Sequence, residues 1–147
     1  MQLDGTIPTK CPPEQVVLLL LDPGALRDLL PRGCEVGERE GDTVPFVIRR
    51  KVGPMRLSMS GNLTLTRAAE GPGYDLAISA SHIVAGRLRV DLALVPDARQ
   101  GAVKRLRWNG NLEVQGLAAR LVDGRARHIK GIIEDLFANL RDRIEWA

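Results

Sequence analysis

The sequence predicts an α+β domain in which a curved, seven-stranded antiparallel sheet wraps around a long C-terminal helix, with two short helices after the first strand. Three observations carry this. From residue 34 onward, six runs alternate apolar and polar residues with the period of a strand; residues 117–144 instead repeat apolar residues at helical spacing. Two of the strands also place Gly and Asn in their middles, in "SGNLTLT" at 60–66 and "NGNLEVQ" at 109–115. Gly and Asn weaken a flat strand, so they mark places where a sheet coils sharply or where something approaches closely. Gly61 and Gly110 both fall on the apolar parity of their strands, facing whatever the sheet wraps.

Each element follows from local chemistry. Leu3, Gly5 and Ile7 alternate with polar residues and form the first strand. Pro12 and Pro13 stop strand pairing and open a short helix over "EQVVLLLL". Asp22 followed by Pro23 is an N-cap with proline at the first helical position, starting a second short helix closed by Pro31 and Gly33. Strands follow at 34–40 and 43–52 around a Gly41–Asp42 turn, then at 55–67, 74–84, 88–94 and 106–114. In the final helix, Leu117, Leu121, Val122, Ile129, Ile132, Ile133, Leu136, Phe137, Leu140 and Ile144 share an arc of about 200 degrees.

A chain of 147 residues is expected to form one domain spanning 1–147. Only five residues are aromatic, so the interior is filled by aliphatic side chains, as a core or as a hollow. Net charge is +3 with 21 basic and 18 acidic residues interspersed, which is not the pattern of a nucleic-acid tail. The basic outward cluster Arg87, Arg89, Lys104, Arg105 and Arg107 has no aromatic on its face to stack a base, which again excludes nucleic acid. An anionic membrane or an acidic partner is the alternative to a solvated face. The N-terminus lacks a charged segment followed by an apolar stretch, and "VVLLLL" falls far short of the roughly 20 residues of a membrane span, so a soluble cytoplasmic protein is expected. Cys11 and Cys34 lack metal-ligand spacing and read as two reduced thiols.

The order strand, two helices, six strands, helix resembles the helix-grip fold of START-like and pollen-allergen-like proteins (the SRPBCC superfamily). Individual stretches resemble the CoxG family of carbon monoxide dehydrogenase: "MQLDGTI", "LLDPGALRDLLPRGCEV", "EREGD", "KVGPMRLSMSGNLTLT" and "GNLEVQGLAARLVDGRARHIKGIIEDLFANL". The sequence departs from the family pattern at Arg32, which splits a Pro-Gly pair, and at Val44–Pro45, where an aromatic is common. The resemblance implies a small protein that accompanies molybdenum hydroxylases in maturation or membrane recruitment. The wider superfamily binds apolar ligands between sheet and helix. No cofactor and no catalytic residue is implied.

Polar residues on the dry parity mark the candidate site. Arg50 shares parity with Val44, Phe46 and Ile48; Tyr74 and His82 share it with Leu76, Ile78 and Ala80. On the long helix Arg125 falls within the apolar arc and His128 at its edge. A buried unpaired guanidinium is costly, so these groups require water, an acid or a ligand. Arg50 and Arg125 are therefore expected to hold a ketone, carboxylate or phosphate head. An apolar tail would lie along Leu57, Met59, Leu63, Leu112, Ile129, Ile132 and Leu136, over the space left by Gly61 and Gly110, with His82, His128 and Trp108 completing the lining. The plainer readings are a bulge near Gly53 turning Arg50 outward, rim histidines, and core roles for Trp108 and Met59. No nucleophile elbow, zinc motif, P-loop or dinucleotide fingerprint is present, and no metal site is expected. An enzyme of this fold would use His82 or Tyr74 as acid or base.

Overall fold

The computed structural model describes residues 1–30, 33–52, 54–82, 86–98, 103–116 and 126–146. Strand β1 (Gln2–Pro8) leads into α1 (Pro13–Leu18), a 3-10 turn (Leu19–Leu21) and α2 (Pro23–Leu29). Strands β2 (Cys34–Val36), β3 (Thr43–Val52), β4 (Met55–Arg67), β5 (Tyr74–His82), β6 (Gly86–Asp97) and β7 (Arg105–Gln115) follow, and α3 (Ala126–Glu145) ends the chain. They form one antiparallel sheet in the order β1-β7-β6-β5-β4-β3-β2. The expected fold is the observed one.

The caps and turns behave as their chemistry dictates. The Asp22 carboxylate accepts from the backbone N–H of Gly24 at 3.0 Å and Ala25 at 3.3 Å, satisfying two of the donors at the start of α2. Gly41 takes a φ of +60 at the turn before β3. One strand is shorter than expected: β2 ends at Val36, and only a Glu40–Thr43 bridge continues it. Gly37 and the run of charges after it favour the solvated turn over further pairing. Residues 83 and 84 of the expected fifth strand, and 117–125 of the expected helix, lie outside the described residues.

Cross-strand register turns the sheet's inner face into a series of rows. Trp108 and Gly5 belong to one row with Leu94 and Tyr74; Leu3, Gly110, Leu92, Leu76 and Leu65 form the next; Leu112, Val90, Ile78, Leu63 and Val44 the third. Across these rows nearly every apolar side chain is buried. From above, Val16, Val17, Leu20, Ala25 and Leu26 of the short helices and Phe137 and Leu140 of α3 close over them. Each large aliphatic so buried contributes about 1.5–3 kcal/mol of transfer free energy, so this half of the molecule is the stable core.

Polar contacts tie α3 down at the same half. Arg141 donates to the Pro8 carbonyl at 3.0 Å, Glu145 accepts from the Lys10 and Cys11 N–H groups at 2.5 and 3.0 Å, and Arg143 meets Asp28 at 2.7 Å. Lys130 lies 3.8 Å from Asp4, so α3 runs parallel to β1. Its N-terminal half therefore reaches over the other end of the sheet, where β4 and β6 begin and β5 and β7 end.

Candidate functional site

Past the third row, burial changes. The fourth row, Phe46–Gly61–Ala80–Leu88–Val114, crosses five strands, and Ile48–Met59 extends it toward the β3–β4 turn. At strand spacing the row is about 19 Å wide. Phe46, Leu88 and Val114 are only partly buried, and they pack both against the main core and against a small buried pair, Met59 and Ala80. On α3, Ile133 and Leu136 are partly buried against the main core, while Ile132 is 52% exposed. Among the described residues the inner face is thus buried along its first three rows at every apolar side chain except Ile78, and only partly covered at Phe46, Leu88 and Val114 of the fourth.

The expected lining divides accordingly. Met59 belongs to the smaller cluster, whereas Leu63 and Leu112 belong to the main core and Leu136 packs against that core. Trp108 is 1% exposed and packs between Phe137, at a ring separation of 6.1 Å, and β1, where a Cβ on Gly5 would come within 2.4 Å of the indole. It is a core residue, not a ligand contact, although its Nε1 has no hydrogen-bond partner among the described residues. Ile132 is corrected as well. The buried helix positions, Phe137 and Leu140, centre the packed arc away from it, so it sits at the arc's wet margin. His82 is exposed at the last position of β5, not buried as its parity suggested. Arg125 lies outside the described residues, as do the side chains of Arg50, Leu57, His128 and Ile129.

Gly61 and Gly110 also require correction. A Cβ on Gly61 would stand 1.9 Å from the Ser79 carbonyl oxygen and 2.8 Å from the Ala80 Cα; one on Gly110 would stand 1.8 Å from the Asp91 carbonyl oxygen and 2.8 Å from the Leu92 Cα. Each missing side chain is replaced by the backbone of the neighbouring strand. The glycines serve the coiling of the sheet and leave no channel for a tail. On the solvent face, depressions of about 420 and 470 Å³ flank β4 where it coils, and both are bordered by Ser60, Gly61 and Asn62.

Acid–base groups do not converge on this row. Tyr74 is buried at the sealed end and donates its hydroxyl to Glu14 of α1, which raises its pKa, with burial adding to the effect. Arg67 covers the Tyr74 ring at 5.6 Å and approaches Glu14 at 3.7 Å. His82 lies eight residues along β5, about 27 Å away. Tyr74 thus anchors α1, and the two cannot act on one substrate. Among the described residues no group of three or more His, Cys, Asp and Glu could hold a metal ion, and no helix is long and apolar enough to cross a membrane. The outward basic cluster is partly neutralised, Arg89 by Asp91 at 2.7 Å and Arg105 by Asp97 at 3.4 Å.

A partly covered apolar row on the inner face of a sheet of this order, with an amphipathic C-terminal helix, fits the family whose motifs the sequence carries. Residues 5–145 match CoxG, the G subunit of carbon monoxide dehydrogenase. The chain belongs to that family. No curated protein matches it in sequence. Among solved structures, a conserved protein from Geobacillus kaustophilus is 19% identical with a TM-score of 0.73, covering 99% of this chain and 95% of its own. The STAR-related lipid transfer protein from Xanthomonas axonopodis is 16% identical with a TM-score of 0.59, covering 94% and 84%. The Zhui aromatase/cyclase from Streptomyces sp. R1128 is 10% identical with a TM-score of 0.60, covering 98% and 95%. At these identities the likeness is one of fold, and the fold is the helix grip.

The signal missed in the sequence lies in Ala80, Leu88 and Val114. Their alternation marked them as dry, but nothing local distinguished a sealed dry residue from one at an open end.

Proposed function

We propose that this protein binds a lipid-like or quinone-like molecule without catalysis, in the hollow between the open end of the sheet and the N-terminal half of α3. In this role it would serve a molybdenum hydroxylase in maturation or membrane recruitment, in the cytoplasm. The observation that carries the reading is the burial step between the third row and the fourth. The sheet continues to present Phe46, Leu88 and Val114 inward beside the buried Met59 and Ala80, but the protein covers these three incompletely. Exposed contiguous apolar surface is costly to keep and marks a place where another apolar body sits. Covering roughly 400 Å² of it yields about 10 kcal/mol gross, which leaves micromolar binding after ordering costs. Membership of the CoxG family supports the molybdenum hydroxylase, and the lipid-transfer protein of like fold supports the ligand class.

Native mass spectrometry of gently purified protein is the first test, with a retained apolar molecule as the expected result. Titration with Nile red, a neutral apolar dye, is the second. Val114→Lys at the open end should abolish dye binding while leaving the cooperative unfolding of the sealed core in place. A protein that retains no ligand and binds no dye would end the proposal.

A further inference from the structure

The two ends of the sheet differ in charge as well as in cover. At the sealed end cations meet acids: Arg67 with Glu14, Arg105 with Asp97, Arg143 with Asp28. At the open end the β3–β4 hairpin carries Arg49, Arg50, Lys51 and Arg56, and no acidic residue occurs anywhere from Thr43 to Ala69. Arg49 is answered from outside the hairpin by Glu35. Lys51 and Arg56 are direct cross-strand partners, both exposed, with no ion pair to any described residue. Like charges placed directly opposite each other destabilise a sheet. The hairpin sets this repelling pair three residues beyond the Ile48–Met59 position of the hollow, about 10 Å along the strands.

We infer that the ligand of the hollow is an amphiphile with an anionic head, a carboxylate or a phosphate, and that Lys51 and Arg56 hold this head at the rim. The inference rests on the apolar-ligand reading above and adds the head group to it. An apolar tail lying over Phe46, Met59 and Leu88 needs its polar end in water, and the open end is where the hollow meets water. By alternation Lys51 and Arg56 start toward the solvent face. They stand at the hairpin end, however, and their long stems can lie over its edge while the charged tips stay hydrated. An oxyanion between the two cations converts their mutual repulsion into two charge-assisted contacts. A flat anionic membrane would also meet exposed cations, but Phe46, Met59 and Leu88 lie on the inner face of the sheet, which a flat surface does not enter, and this favours a single headed molecule.

The test is displacement of Nile red from the full chain at low salt by four competitors: tetradecanoate, tetradecyl phosphate, tetradecan-1-ol, and vesicles containing anionic lipid. One or both of the anionic amphiphiles should displace the dye at about tenfold lower concentration than the alcohol, and the better of the two names the head. The double variant Lys51→Gln/Arg56→Gln should erase that preference, leave displacement by the alcohol unchanged, and keep or raise the melting temperature because the repelling pair is gone. Arg107→Gln, at the other end of the sheet, should change nothing. Equal displacement by acid and alcohol in the parent protein, or a preference that survives in the double variant, overturns the head-group site and leaves the hollow standing. Vesicle binding without any preference for the free anionic amphiphiles overturns it too. Failure of the dye itself to bind overturns the apolar-ligand reading beneath it.

Discussion

Gly61 and Ser79 are in contact through their backbones so closely that a Cβ at position 61 would stand 1.9 Å from the Ser79 carbonyl oxygen. Neither group can retreat, since both belong to the β4–β5 ladder. Gly61→Ala should therefore destabilise the protein by about 3 kcal/mol, the upper range for forced overpacking. Gly61 borders the open row, so dye binding should fall with it. Urea denaturation checks this, and a change below about 1 kcal/mol would show that the coil relaxes freely.

Gly131 supplies the opposite case. It lies inside α3, and a Cβ there meets nothing within 4 Å. Gly131→Ala should raise stability by about 0.5–1 kcal/mol, because alanine loses less backbone freedom in a helix. Thermal unfolding of the two alanine variants side by side would separate a glycine required by contact from one that is not.

Glu145 binds the far end of α3 to the β1–α1 connection. The backbone N–H groups of Cys11 and Lys10 hold its pKa below the ordinary carboxylate value. A depressed pKa in the folded state means the unfolded chain takes up the proton first. The contribution of Glu145 is therefore complete above the unfolded pKa, about 4.3, and is lost as pH falls through the lower folded value. Glu145→Gln should be less stable than the parent at neutral pH, and the difference should shrink on acidification below about pH 4. A gap that stays constant from pH 7 to pH 3 would contradict the linkage.

Tyr74→Phe removes a hydroxyl that donates to Glu14 from a buried ring. Glu14 is half-exposed and regains water, so the loss should be about 1–2 kcal/mol, at the low end for a hydrogen bond to a charged group. The far end of β5 should not respond: ligand binding in Tyr74→Phe should match the parent. Loss of binding without loss of stability would instead place Tyr74 in the functional site.

Which residues form which element, and which side of each element is dry, were legible in the amino-acid chain before any folding. Alternation along β3 to β7 and helical spacing from 126 onward are local signals, created by the direction in which successive Cβ atoms point. Asp22, Pro23 and Gly41 likewise announce their roles through their own chemistry. The family was also legible, because it is carried by contiguous stretches.

How far along each strand the dry side is covered emerged only when the elements packed. Leu63 and Met59 share one strand and one parity and both are buried, yet Leu63 joins the main core with α1, α2 and the C-terminal half of α3, while Met59 falls in a separate small cluster with Ala80. The same holds for His82, inward by parity but exposed at the end of β5, and for Ile132, apolar in phase but turned to the margin. Gly61 and Gly110 read as space in the sequence and proved to be contact, since the neighbouring backbone that fills each position comes from a strand 18 or 19 residues away in the chain. Alternation reports a direction at each residue, whereas cover and close approach depend on where distant segments come to rest.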